Sequence, residues 1–243
     1  MRPKILDRLA RELAGVDDCR LIVLHGAGSF GHPGALRFGL ARAPEPGVAP
    51  ARRARGAAIV SAEVRRLHYA VLKALVRSGA SPLSVPIATH ARNRDGLLVA
   101  FDATPFEDAL ERGHLPVSFG DVVPDEAWGS SILSADTIAV ALVPVLHPAR
   151  VVFASDVAGI LEGPPGPRRS VVPEVTEEVV AGLRPAPGAA DVTGGIRAKA
   201  VAMRAIARAG ADAGLISGLT DGALSRAIRG EGGYGSWAHA GPH

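Results

Sequence analysis

Apolar residues recur at helical spacing over residues 4–14, where Ile5, Leu6, Leu9 and Leu13 share one face. The next apolar run, Leu21 to Leu24, is too short for a helix and reads as a buried strand leading into His25. Residues 41–50, rich in Pro, Ala and Gly, read as a loop, and a long helix is predicted over 58–76. Strands are predicted over 83–87 and 97–100. A helix then starts at Thr104, where Thr-Pro-Phe-Glu has the form of a capping box with proline at the first helical position. Residues 115–119 read as a strand ending at Gly120-Asp121, followed by a helix over 134–146 and a strand over 151–154. A Pro/Gly/Arg loop over 163–169 precedes helices over 176–183, with acidic residues in its first turn, and 193–208. A strand over 213–217 and a helix over 223–228 complete the pattern, and the glycine-rich tail from Gly230 is expected to fray. Strands alternating with helices predict an α/β fold, a mostly parallel open sheet covered on both faces. Ligands of such sheets bind outside the carboxyl ends of the strands. The glycine-rich segment after Leu24, Gly120-Asp121 and Ser155-Asp156 all lie there.

With 243 residues, the chain suits one large α/β domain or two small ones. It is 47% hydrophobic but only 4% aromatic, so the core must come from Ala, Val, Leu and Ile. Its net charge is +3, with basic residues scattered, which disfavours a nucleic-acid partner. Lys4, Lys73 and Lys199 are the only lysines, and the single Cys19 excludes an internal disulfide and a cysteine-based zinc site. No protein-held metal site is read from the sequence. No apolar run reaches about 18 residues and no signal-peptide pattern precedes the first helix, so a cytoplasmic protein without a membrane partner is expected.

Five segments carry chemistry. In His25-Gly-Ala-Gly-Ser-Phe-Gly-His-Pro, glycines 26, 28 and 31 permit close backbone approach, and a loop after a strand presents N–H groups to an anion. His32 adds a ring donor. No Gly-Lys-Ser/Thr follows, so this is not a P-loop. The spacing matches GxGxxG, but His32-Pro33-Gly34 does not read as a helix start. The plainer alternative is a tight strand-to-helix turn with a structural histidine. Gly120-Asp121-Val122-Val123 puts a carboxylate at a strand end, to orient a lysine or a metal ion or to make a turn. In Ser134-Ala135-Asp136 the serine is an N-cap and the aspartate sits in the first helical turn. Ser155 to Ile160 closes a strand. Asp191 to Lys199 places Gly194-Gly195 at a helix start, with Lys199 one turn inside, where free N–H groups and an ammonium can meet phosphate. A solvated lysine is the alternative there. His25, His90 and His114 have no motif support and read as structural.

HGAGSFGHP resembles the HGGGSFGHP segment of isopentenyl phosphate kinases, a branch of the amino acid kinase superfamily. Residues 120–123 read as that branch does. Residues 134–137 resemble its Ser-Gly-Asp-Asp, 155–160 its Thr-Asp-Val-Asp-Gly-Val, and 191–199 its Asp-Val-Thr-Gly-Gly-Met-x-x-Lys. The segments occur in the family's order across 21–199. The resemblance implies a three-layer αβα sandwich of amino acid kinase type, with an acceptor-binding part near 1–125 and a nucleotide-binding part near 126–243. It implies transfer from Mg-ATP (cofactors ATP and Mg2+) to isopentenyl phosphate in a homodimer. His32 would hold the acceptor phosphate, Lys199 would neutralise the nucleotide phosphates, and Asp136 would organise the site. Gly26, Ala27, Gly28, Ser29, Gly31, Gly120 and Asp121 would form the acceptor side. Asp156, Gly159, Gly194 and Gly195 would form the nucleotide side. The prenyl tail is expected near Phe38 and residues 58–76. Departures are Ala27 for a glycine, and Thr137 and Ala158 for aspartates. The superfamily's Lys-x-Gly-Gly-Ser strand has no counterpart, so a truncated start or a replacement strand is expected. Rival readings are a kinase for another phosphate or phosphonate, such as fosfomycin, and an inactive nucleotide-binding homologue.

Overall fold

The computed structural model describes residues 2–47, 49–162, 170–183 and 195–241. In chain order the elements are α1 (Pro3–Ala14), β1 (Val23–His25), α2 (Gly28–Arg37), α3 (Pro50–Arg77), β2 (Pro82–Ser84), β3 (Ala91–Arg94) and β4 (Leu97–Phe101). Then come α4 (Thr104–Glu111), β5 (Leu115–Phe119), β6 (Asp121–Asp125), β7 (Gly129–Leu133), α5 (Ala135–Leu146), β8 (Arg150–Ser155), β9 (Leu161–Glu162) and β10 (Ser170–Val171). The chain ends with α6 (Glu177–Gly182), α7 (Gly195–Arg208), β11 (Asp212–Ser217), α8 (Ala223–Arg229) and β12 (Ser236–Ala238). Two compact units emerge. One is built on residues 18–141, the other on the described parts of 2–17, 142–187 and 194–243.

In the first unit β5 is the middle strand of a parallel sheet, with β1 on one side and β2 on the other. Its Val117, Ser118 and Phe119 are buried, as a strand covered on both faces requires. Helices α2 and α3 pack around Ala35, Leu40, Val60, Val64, Phe119 and Val122. A second sheet, ordered β4-β3-β6-β7, joins two antiparallel pairs through a parallel contact at Asn93 and Asp125. Hydrophobic periodicity misses β3, β6 and β7 because their inward positions include Asn93, Asp125 and Ser131. Asp125 builds the β6–β7 turn by accepting N–H groups of Trp128 (2.8 Å), Ala127 (3.0 Å) and, from the β3–β4 turn, Gly96 (2.8 Å). Burial pushes its carboxyl upward, but these bonds outweigh burial and hold it below the ordinary value.

In the second unit β8 and β11 pair in parallel over six residues, and β12 adds antiparallel to β11. Within the glycine-rich tail, expected to fray, Ser236–Ala238 thus form a strand. Trp237 lies against Gly214, where a Cβ would come within 2.6 Å of its ring, and its indole N–H donates to the Tyr234 carbonyl (2.8 Å). A glycine opposite a tryptophan is a pairing that composition alone does not reveal. Leu9 and Leu13 of α1 pack on Ile216, Ala223, Leu224 and Ala227. The N-cap of α8 is Gly222, which has no side chain to cap with. Glu12 supplies the cap from α1, accepting the N–H groups of Leu224 (3.1 Å) and Ser225 (3.3 Å).

The parallel pairs and covering helices agree with the α/β expectation, while several local expectations shift. Helix α3 begins at Pro50, well before residue 58, because proline suits a first helical turn. The 83–87 strand stops at Ser84 and gives way to a 3₁₀ turn, Ile87–Thr89. Thr104 is not the N-cap of α4 but its first residue, and the carboxylate of Asp102 accepts its N–H (3.0 Å). The 163–169 loop lies outside the described residues.

Candidate active site

Strand β1 delivers the chain to His25, and only Gly26 and Ala27 separate it from α2. The glycine-rich segment is thus a helix start rather than a loop. Gly28 opens α2 at φ +50, and His32, Pro33 and Gly34 lie inside the helix. Packing overrides the proline. A Cβ on Gly31 would lie 2.5 Å from the Ala27 Cβ and 3.1 Å from Val64 Cγ2, and one on Gly34 would lie 2.7 Å from Val60 Cγ2. These two glycines let α2 rest on α3, so Gly31 serves packing. Gly26, Gly28 and Ser29 are exposed at the helix start, and His32 is half-buried a turn later. The first N–H groups of a helix lack intrahelical acceptors and face anions favourably.

Gly120 lies at the corner between β5 and β6. Its N–H donates to the His25 carbonyl (3.0 Å), and a Cβ there would stand 3.0 Å from the Ala135 nitrogen. Asp121 is buried and points to α3, where the Arg65 guanidinium approaches its carboxylate to 2.9 Å. The Val122 N–H adds a second bond (2.8 Å). Burial raises the Asp121 pKa, with Arg65 opposing that shift. The group facing Asp121 is an arginine, where the sequence reading allowed a lysine or a metal ion. Ser134 caps α5 as expected: its Oγ accepts the Thr137 N–H (3.0 Å) and lies 2.8 Å from the Thr137 hydroxyl. Thr137, standing where the resembled family has an aspartate, thereby serves the cap. Asp136 is half-buried in the first turn of α5.

Two side chains beside this segment, His68 and Ser84, escaped the sequence reading, and both connect to His25, which that reading took as structural. His68 of α3 lies between His25 and Ser84, with its Nδ1 3.0 Å from His25 Nε2 and its Nε2 2.7 Å from Ser84 Oγ. Both imidazoles pack on Phe119, with centroids 5.4 Å (His25) and 4.3 Å (His68) away. Burial, then the neighbouring His25 and Arg65, depress the His68 pKa to about 4, and burial lowers that of His25. A signal was present: Val60, Val64, His68 and Val71 form one buried stripe of α3 at helical spacing.

In the second unit Asp156 is exposed just after β8. Gly159 is buried, and a Cβ there would meet Ser236 Oγ and Val171 Cγ1, each at 2.7 Å, so it faces protein. Gly195 opens α7, while Gly194 lies outside the described residues. Lys199, half-buried one turn along, holds its ammonium 4.6 Å from the Phe153 ring centroid. Phe38, near which the prenyl tail is expected, packs against Gly56, where a Cβ would lie 2.3 Å from its ring. An open pocket in the first unit is lined by Leu40, Trp128, Ile132, Ser134 and Thr137. Among the described residues no helix is long and apolar enough to cross a membrane.

A helix start that follows a parallel strand and exposes backbone N–H groups suits an anionic ligand such as a phosphate, and in the second unit the start of α7 carries Lys199. The chain belongs to the amino acid kinase family, whose model matches residues 2–216. It is 30% identical over 232 residues to the isopentenyl phosphate kinase of Methanothermobacter thermautotrophicus, covering 93% of this chain and 86% of that protein. It is 36% identical over 157 residues to that of Thermoplasma acidophilum, a stretch spanning 65% of this chain and 60% of the relative. A crystal structure of isopentenyl phosphate kinase superposes with a TM-score of 0.84 at 27% identity, covering 98% of this chain and 91% of the other. An N-acetylglutamate synthase from Neisseria gonorrhoeae, 17% identical with a TM-score of 0.69, shares the fold.

Proposed function

We propose that this chain transfers the γ-phosphoryl group of ATP to isopentenyl phosphate, giving isopentenyl diphosphate and ADP. The observation that carries the reading is the passage from β1 through Gly26 and Ala27 into α2, which exposes Gly28 and Ser29 and places His32 one turn along. Phosphoryl transfer asks little covalent chemistry of a protein and much positioning and charge neutralisation. In this reading His32 donates to the acceptor phosphate, and the N–H groups from Gly26 to Ser29 face that phosphate and the group transferred to it. Lys199 and the start of α7 at Gly195 balance the nucleotide phosphates. Asp136 orients the cationic groups around them, and Asp156 lies at the nucleotide side. Gly120 and Asp121 act from beneath, the first through the His25 carbonyl and the second through Arg65.

Mg2+ fits as a companion of the nucleotide. It is commonly held by one or two carboxylates and the substrate's own phosphates, so it needs no cage of protein ligands. Asp156, exposed just after β8 on the nucleotide side, is the carboxylate that would hold it, and when bound it supplies charge neutralisation across the phosphates. Among the described residues no three His, Cys, Asp or Glu side chains cluster as a dedicated metal site. The proposal includes an acceptor-binding N-terminal part, a nucleotide-binding C-terminal part, and a homodimer working in the cytoplasm, where ATP is available.

Phosphorus NMR of the chain with Mg-ATP and isopentenyl phosphate tests this. The expected result is isopentenyl diphosphate from the parent and a loss of about a hundredfold in kcat/KM for His32→Ala. No product from the parent, or turnover of fosfomycin in place of isopentenyl phosphate, would overturn it.

A further inference from the structure

The sheet of the first unit brings three strand ends together: His25 closes β1, Ser84 closes β2, and Phe119 closes β5 between them. Histidine 68 reaches over Phe119 from α3 and spans the gap, touching His25 at 3.0 Å and Ser84 at 2.7 Å. At the far end His25 Nδ1 lies 3.2 Å from the carbonyl oxygen of Gly26, the first residue of the turn into α2.

The hydrogens in this chain follow from one end. A carbonyl only accepts, so His25 Nδ1 carries the proton and donates to Gly26. In a neutral ring His25 Nε2 is then bare and must accept, so His68 Nδ1 carries a proton. That leaves His68 Nε2 bare, and the Ser84 hydroxyl donates to it. Each of the four ring nitrogens then has one role, and no ring proton is left over. Two rings that both resist protonation by burial suit the arrangement. The charged groups nearby are Arg65, on the same helix and over the Phe119 ring, and its partner Asp121.

We propose that Ser84, His68 and His25 form one directional hydrogen-bond chain that holds the Gly26 carbonyl, and with it the Gly26–Gly28 turn that receives the acceptor phosphate. His68 and Ser84 are positioning residues: they act on the turn through His25 and make no contact with the reacting groups. The role of the turn rests on the functional reading above; the hydrogen-bond chain does not. The Gly120 N–H on the His25 carbonyl fixes the same residue from its other side. With Gly31 and Gly34 seated on α3, the turn is anchored at both ends.

The first test uses nitrogen-15 NMR of the histidine rings in the whole chain at about pH 7. The expected result is His25 and His68 both neutral and both protonated on Nδ1, the form an isolated imidazole disfavours. A proton on Nε2 of either ring, or a charged ring, overturns the proposal. This readout needs no turnover, so it stands even if isopentenyl phosphate proves not to be the acceptor. The second test is kinetic. His68→Leu is expected to raise the acceptor KM about tenfold with the ATP KM unchanged, and Ser84→Ala to raise it about threefold. His68→Asn, which keeps a donor near the Nδ1 position, is expected to stay within about threefold of the parent. Equal losses in the Asn and Leu variants, or equal rises in both KM values, would mean packing alone and overturn the proposal. If His68→Leu does not fold, the ring tautomers of the parent still decide the matter, and an unchanged acceptor KM in Ser84→Ala overturns the proposal.

Discussion

Gly31→Ala adds one methyl group at the point where α2, which carries His32, touches α3. That methyl would lie 2.5 Å from the Ala27 Cβ and 3.1 Å from Val64 Cγ2. Carbon atoms settle at about 3.5–4.0 Å, so Ala27, at the start of the same helix, must shift by on the order of 1 Å, while the contact with Val64 across to α3 must open by about a few tenths of an ångström. Alanine is the better helix former by about 0.8–1 kcal/mol. Overpacking a close contact costs about 1–3 kcal/mol, and both neighbours here are short side chains with no flexible end to yield. The clash outweighs the propensity gain, leaving a net loss of about 1 kcal/mol, or about 2–4 °C in Tm for a chain of this size. The catalytic effect should be larger. A reacting group misplaced by about 1 Å can cost up to about a hundredfold, so acceptor kcat/KM should fall at least about tenfold with the ATP KM little changed. Calorimetry and steady-state kinetics of Gly31→Ala, beside the double variant Ala27→Gly/Gly31→Ala, check this. The double variant removes the 2.5 Å contact and should recover most of both losses. A single variant as stable and as active as the parent would refute the packing argument.

Lys199→Met should raise the ATP KM at least about tenfold while leaving the acceptor KM nearly constant, measured by steady-state kinetics with each substrate varied in turn. Stability should fall as pH drops from 6.5 towards about 4: the unfolded His68 ring binds a proton there, while the folded ring, depressed to about 4, stays neutral. His25 adds to this in the same direction, whereas Asp121, raised by burial, contributes stability at low pH that is lost as pH rises through its folded pKa. Urea midpoints across that window should slope in the parent and flatten in His68→Asn. Glu12→Ala removes the borrowed cap of α8 and should cost about 1 kcal/mol, read as a lowered Tm with unchanged kinetics.

What the sequence determined by itself was local or carried by short motifs. The amphipathic stripe of α1, the Ser134 cap of α5, the buried strand β5 and the strand–helix alternation all follow from spacing and residue type, and the structure contains each of them. The family resemblance gave the turn at Gly26, His32 and Lys199 the roles proposed above, in order along the chain. What tertiary structure alone decided was whatever depends on a partner far away in sequence. Residues 28–34 become helical because Val60 and Val64 meet Gly31 and Gly34. Residues 236–238 of the glycine-rich tail become a strand because Trp237 finds Gly214. Asp121 meets Arg65 rather than a lysine because β6 runs beneath α3. His25 and His68, 43 residues apart, meet only because β1, β5 and β2 end side by side under α3. Periodicity reports which face of an element is apolar. It carries no information about which polar groups the folded chain brings together, and those pairings decide the chemistry of the site.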